Sequence, residues 1–256
     1  MFKNIKELGV ITLLLTGGLS TQVQASDSDS DSGDWNLSLS LQTNHLWHGL
    51  TITDTPMTAV SLQYITADNK TTFGLWGGAS FDGEYQEFTY SVSHKFTDNF
   101  FVELVSHGNH SGIDDVDIWD YSSDPLKTGN FVDIGMGYTF EGEMPITVYY
   151  SVILVGIDTI TDQVTDEEDR SWTNYIEVSA PVWHGKEGKK VKAFIGGAFS
   201  PVHDENFYSD NADITNVGFT FSQEINILGT TFPISATAMW NPALNNGSLQ
   251  AIVNFF

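Results

Sequence analysis

The chain has 256 residues, 33 Asp+Glu against 10 Lys+Arg for a formal net charge of −23, and no cysteine. So acidic a chain offers no basic patch to nucleic acid or to anionic lipid. Without thiols it has no disulfide framework, thiolate metal site or cysteine nucleophile, and its length suits a single domain.

The first segment reads as a cleavable secretory leader over 1–25. Lys3 and Lys6 supply its positive start, the apolar stretch from Leu8 to Leu19 is too short to span a bilayer, and Val23-Gln24-Ala25 gives a small-x-small cleavage pattern. Residues 26–34 are a Ser/Asp run with nothing to bury, a disordered acidic tail. Its acid spacing misses a calcium loop, because Ser32 and Ser38 stand where the loop needs Gly and Glu.

From Trp35 onward, apolar and polar residues alternate with period two. Leu37, Leu39 and Leu41 interleave with Ser38, Ser40 and Gln42; Phe88, Tyr90 and Val92 with Thr89, Ser91 and Ser93; Val217, Phe219 and Phe221 with Gly218, Thr220 and Ser222. Each such run is a strand with one greasy and one small or polar face. About twelve are expected, near 35–50, 57–66, 71–80, 85–96, 99–107, 129–140, 146–156, 171–182, 189–200, 213–226, 231–241 and 247–256. Short turns such as Ala67-Asp68-Asn69-Lys70 and Leu228-Gly229-Thr230 alternate with long connections at 108–128, 157–170 and 201–212.

The last strand ends in Phe256, the aromatic ending expected of outer-membrane barrels, and no stretch after residue 25 approaches the ~20 apolar residues of a membrane helix. The expected fold over 35–256 is therefore all-β, a transmembrane up-and-down antiparallel barrel of about twelve strands. It would sit in a bacterial outer membrane with both termini periplasmic. A soluble β-sandwich or barrel would alternate too, but its polar face would carry many lysines; here Lys192 is the clear lysine within a strand.

Thr43-Asn44-His45-Leu46-Trp47-His48-Gly49-Leu50 resembles the opening "S-x-Y-V-W-R-G" hairpin of small outer-membrane porins of the TorF-like type. Thr72-Phe73-Gly74-Leu75-Trp76-Gly77, Thr173-Asn174-Tyr175-Ile176-Glu177, Asn216-Val217-Gly218-Phe219-Thr220 and Trp240-Asn241-Pro242 are similar to strands of the same family. The resemblance spans most of the chain and implies a barrel with a pore. One departure is His48, which stands where the family has a basic residue.

The alternation places Glu87, Glu103, Asp133, Glu177 and Glu224 on the inner face, with Lys192 as a lone cation. Acids lining a confined pore favour cations; equally, they could pair with cations and lock a filled interior. The expected function is a non-enzymatic, porin-like channel for passive diffusion of small solutes, weakly cation-preferring and without a cofactor. Its loop at 108–128 would fold inward as the steric filter.

Other expected partners are the bilayer, lipopolysaccharide, and divalent cations at the acidic loops that carry Asp114, Asp115, Asp162, Asp166, Glu167 and Asp204. Two rivals remain open: a lipid hydrolase built on His107 and Ser111, and a non-conducting surface barrel. Trp35, Trp47, Trp172, Trp183 and Trp240 are read as membrane-interface anchors, and Trp76 as inner-facing.

Overall fold

The computed structural model describes residues 32–161 and 168–256. The expected leader, residues 26–31 of the acidic tail, and Asp162, Asp166 and Glu167 lie outside them. In chain order the strands are β1 (Asp34–Gln42), β2 (His45–Trp47), β3 (Leu50–Thr53), β4 (Met57–Ile65), β5 (Thr71–Ser80), β6 (Gln86–Lys95), β7 (Phe100–Gly108) and β8 (Asn130–Phe140). There follow β9 (Ile146–Gly156), β10 (Thr159–Thr161), β11 (Glu168–Arg170), β12 (Asn174–His184), β13 (Lys190–Phe199), β14 (Asp213–Ile227), β15 (Thr230–Asn241) and β16 (Asn246–Asn254).

Twelve of these form one closed antiparallel barrel, in the order β1-β16-β15-β14-β13-β12-β9-β8-β7-β6-β5-β4. Neighbours in sequence are neighbours in the wall, and β1 closes the ring by pairing Leu41 with Val253 and Gln42 with Ile252. Closure leaves no edge, so the ladder groups of every wall strand have a partner on each side.

The two faces of the wall are the reverse of a soluble protein's. Leu37, Leu75, Leu104, Met136, Ile176 and Ile195 are exposed on the outside, with Phe219 54% and Leu249 78% exposed. Ser40, Ser93, Glu103, Asp133, Ser151, Ser179, Ser222, Ser235 and Gln250 are buried on the inside. A greasy exterior around a polar interior is stable against hydrocarbon and not against water. A soluble barrel or sandwich would hold its apolar rows facing each other.

This wall makes a direct prediction. Leu104, mid-strand on β7 between Val92 and Ile134, faces outward. Leu104→Arg should cost about 2–4 kcal/mol in lipid, whereas a water-facing site would change by no more than about 0.5 kcal/mol. Urea unfolding in phospholipid vesicles measures the difference.

Turn chemistry sorts the two ends of the barrel. At one end the connections are the brief segments 66–70, 96–99, 141–145, 185–189 and 228–229, and β1 starts and β16 finishes there. In the first, Asp68 accepts hydrogen bonds from Thr66 Oγ1 (2.6 Å) and Lys70 N–H (3.1 Å), while Asn69 takes a positive φ of 57°. The Thr66 hydroxyl foremost holds the Asp68 carboxyl below its ordinary value. Long connections at 43–56, 109–129, 157–173 and 200–212 all emerge at the other end.

The expectation for residues 35–50 needs one correction. The wall strand stops at Gln42, and the β2/β3 hairpin is a separate two-stranded sheet.

Candidate functional site

The hairpin's turn depends on Gly49, whose φ of 94° lies in the left-handed region. A β-carbon there would also collide with the Thr215 carbonyl oxygen. His48 precedes it with a φ of 47°. The resulting tight tip carries Trp47 and His48 into the barrel.

Polar wall groups on β15 and β16 tether one side of the hairpin. Asn241 Nδ2 donates to Gly49 O (3.1 Å), Gln250 Nε2 to Asn44 O (2.7 Å), and the hydroxyls of Thr51 and Ser248 meet at 2.6 Å. On the other side, His45 stacks on Trp76 of β5 at 5.3 Å, while Trp47 packs against His107 of β7 (5.3 Å) and Phe131 of β8 (5.6 Å). His48 lies nearly parallel on Tyr175 of β12 at 3.9 Å. Contacts with β5, β7, β8, β12, β15 and β16 mean that the hairpin crosses the whole lumen.

A second inward piece meets it. Phe207 and Tyr208, from the 200–212 connection, lie 6.1 and 5.3 Å from Trp47, and Tyr208 Oη pairs with His48 Nδ1 at 3.0 Å. Phe207 N–H donates to Thr173 Oγ1 (2.9 Å), and that hydroxyl donates in turn to buried Asp158 (2.6 Å). Burial pushes the Asp158 carboxyl up. Trp47 is therefore part of a plug and not an interface anchor. Trp35, Trp172, Trp183 and Trp240 are exposed, as anchors require.

The 109–129 connection does the opposite of what was expected and folds outward. Tyr121 Oη hydrogen-bonds the hydroxyls of Tyr90 and Ser106 (2.7 Å to the latter), two residues of the apolar outer rows. Asn130 Nδ2 holds the loop there through Asp117 O (2.9 Å) and Asp120 O (2.8 Å). Tyr121 borders a mainly apolar trough of about 760 Å³ on the outer wall. The narrowing comes instead from residues 43–56, whose polar wall partners Asn241, Ser248 and Gln250 hold them inside the lumen.

Of the six expected pore residues, Glu87, Glu103 and Asp133 come together on β6, β7 and β8. Between them lies His107, with Nδ1 3.9 Å from Glu87 Oε1 and Nε2 3.5 Å from Asp133 Oδ2. Glu87 also accepts from Tyr85 Oη (2.9 Å) and Thr89 Oγ1 (3.0 Å), and Glu103 Oε1 accepts from Tyr149 Oη (3.0 Å). Glu103 Oε2 and Asp133 Oδ1 are buried with no hydrogen-bond partner among the described residues.

Across the lumen, Glu177 accepts from Tyr175 Oη (2.7 Å) and Asn216 Nδ2 (3.0 Å), and Lys192 stands on the neighbouring strand β13. Glu224 stands apart, exposed near the short-turn end of β14. Among the described residues, no three His, Asp or Glu side chains stand where they could share a metal ion.

His107 and the tip of the hairpin were missed from sequence as lumen groups. The signal for His107 was present: it shares the parity of Phe101, Glu103 and Val105, all buried on the inner face of β7. Its hydrolase partner is not assembled, because Ser111 Oγ accepts from Gln86 N–H (3.1 Å) while His107 is engaged by Glu87 and Asp133.

No family model matches the chain, so the resemblance to TorF-like porins stands on its short motifs alone. No curated protein matches it in sequence. Among solved structures, the NanC porin is similar over 85% of this chain and 97% of that one, at 8% identity and a TM-score of 0.49. The COG4313 outer membrane channel from Pseudomonas putida F1 is similar over 90% of this chain and 98% of its own, at 9% identity and 0.46. Wzi, an Escherichia coli outer-membrane protein involved in group 1 capsule assembly and described as a carbohydrate-binding β-barrel, gives 9% identity and 0.37. It is covered over 58% of its length by 90% of this chain. At such identities no residue role passes from these proteins to this chain.

Proposed function

We propose that this protein is a bacterial outer-membrane channel for small solutes, weakly cation-preferring, and closed in the form described by the 43–56 hairpin. The observation that carries this reading is the inverted wall, apolar outside and polar inside, around a lumen with more carboxylates than cations. Glu87, Glu103, Asp133 and Glu177 face inward, opposed by His107 and Lys192. In a confined space such an excess raises the local concentration of cations and lowers that of anions.

The short-turn end, with both termini, faces the periplasm and the long acidic loops face outward, where divalent cations link them to lipopolysaccharide phosphates. The plug gives a second reading a specific footing: a barrel that never opens, whose outer loops do the work.

Single-channel recording in a planar bilayer under a KCl gradient separates the two. The current should reverse on the potassium side of zero. Changing Glu87→Gln, Glu103→Gln and Asp133→Asn together should move the reversal potential toward zero. Unchanged selectivity would remove these acids from the filter. Silence in every form, with the hairpin excised as well, would leave the structural reading in possession.

A further inference from the structure

We propose that the lumen contains an aromatic cage for small organic ammonium cations, formed by Tyr149, Tyr175 and Tyr208 and occupied in this form by the hairpin's own His48. The proposal rests on the lumen described above and names the solute class it would take, but it does not require measured ion flow.

The geometry is that of a three-sided box. The His48 ring centroid lies 3.9 Å from that of Tyr175 at 10° between planes, 5.9 Å from Tyr208 and 6.0 Å from Tyr149. Tyr175 and Tyr208 are themselves 5.6 Å apart, so these two rings form one continuous surface, and Tyr149 belongs to the same buried cluster. All three tyrosines are buried, and glycines make room for two of them. A β-carbon at Gly135 would collide with the Tyr149 hydroxyl, and one at Gly196 with that of Tyr175.

The rings are polarised as a cation site requires. Tyr149 donates its hydroxyl to Glu103 Oε1 (3.0 Å), and Tyr175 donates to Glu177 Oε2 (2.7 Å). A phenol that hydrogen-bonds to a carboxylate gains electron density over its ring, which strengthens attraction for a cation on its face. Beyond the rings, Glu103 Oε2 and Asp133 Oδ1 are buried with no partner among the described residues. Buried carboxylate oxygens without a donor are costly, and a positive charge nearby offsets that cost.

His48 fills the box by stacking and by its 3.0 Å bond to Tyr208. A permanent ammonium head of similar size adds charge attraction to both carboxylates without needing a proton. Anions are repelled by the same acids, and a neutral solute of equal shape gains only contact. Aromatic boxes are a recurring solution for quaternary ammonium groups. Binding and unplugging would thus be one event, the solute taking the place of the hairpin tip.

The test is calorimetric titration of the detergent-solubilised full chain with choline and with its neutral isostere 3,3-dimethylbutan-1-ol. Choline should bind and the alcohol should bind at least about tenfold more weakly. His48→Ala, which vacates the box, should tighten choline about tenfold, and Tyr175→Leu in that background should reverse the gain. Should Tyr175→Leu fail to fold, Glu177→Gln keeps the ring and must weaken choline in the same direction. Equal binding of choline and the alcohol, no choline binding, or a His48→Ala variant no tighter than the parent would overturn the cage. Choline binding with a permanently silent barrel would sink the channel alone, and conductance without choline preference the cage alone.

Discussion

Excising residues 44–55 and linking Thr43 to Pro56 through a few Gly and Ser residues should raise conductance in planar bilayers at least tenfold. The barrel should survive, because its closure does not use the hairpin: β1 pairs directly with β16 and, from Asp34 to Gln42, with β4. What is lost is the filling of the upper lumen. Trp47 and Leu50 leave the buried cluster of Phe101, Tyr149, Tyr175, Ala198 and Tyr208, and Ile52 leaves that of Met57, Ala59 and Tyr85.

Apolar side chains of that size contribute about 1.5–3 kcal/mol each when fully buried, so the shortened barrel should be measurably less stable while still folded. Eight-stranded barrels are filled by their side chains and those of ~16 strands hold a water channel, so a twelve-stranded wall can enclose either. Here the choice falls chiefly to the hairpin, held by hydrogen bonds and stacked rings and met by Phe207 and Tyr208. Trp47→Ala should give a partial version of the same gain. If the excised form folds and remains as silent as the parent, the hairpin is not what closes the lumen.

The wall was legible in the sequence because lipid outside and polar groups inside impose a period of two on every crossing strand. Rows such as Leu37/Leu39/Leu41 and Val217/Phe219/Phe221 carry that period without a tertiary partner to obscure it. The hairpin was hidden by the same regularity. His45-Leu46-Trp47 and Leu50-Thr51-Ile52-Thr53 continue the strand-like pattern past Gln42, and only the Asn44 and Gly49 breaks hint at a change of direction.

Facing was recoverable for the acids, since parity along β6, β7, β8 and β12 placed Glu87, Glu103, Asp133 and Glu177 inward. Their company was not recoverable. That His107 lies between Glu87 and Asp133 depends on the register of three strands, which parity alone cannot see. Direction of the long loops was equally out of reach. Tyr121 reaches out and Tyr208 reaches in because of hydroxyl and imidazole partners that lie 15 and 160 residues away.

His107→Leu should be among the most destabilising single changes in the barrel, by about 3–5 kcal/mol, because it removes one partner of a buried ionic group and leaves the others in place. The two nitrogens of His107 face carboxylates at 3.9 and 3.5 Å, and an ionised carboxylate only accepts, so the ring offsets both acids only when it carries a proton on each nitrogen. Phe131 stacks on the ring at 4.5 Å and 16°, and Trp47 covers it from the plug, which keeps water from replacing the lost contacts.

Leucine fills similar space but leaves Glu87 and Asp133 facing each other and Glu103 Oε2, which has no hydrogen-bond partner among the described residues. Adding Glu87→Gln and Asp133→Asn to His107→Leu should return most of the stability, since amides can donate where carboxylates cannot. Urea midpoints in phospholipid vesicles for the single, double and triple variants give the coupling directly. A coupling under about 0.5 kcal/mol would mean that water already reaches these acids past the plug. The hairpin would then be a loose filter and not a seal, and the tenfold gain expected from its excision should shrink accordingly.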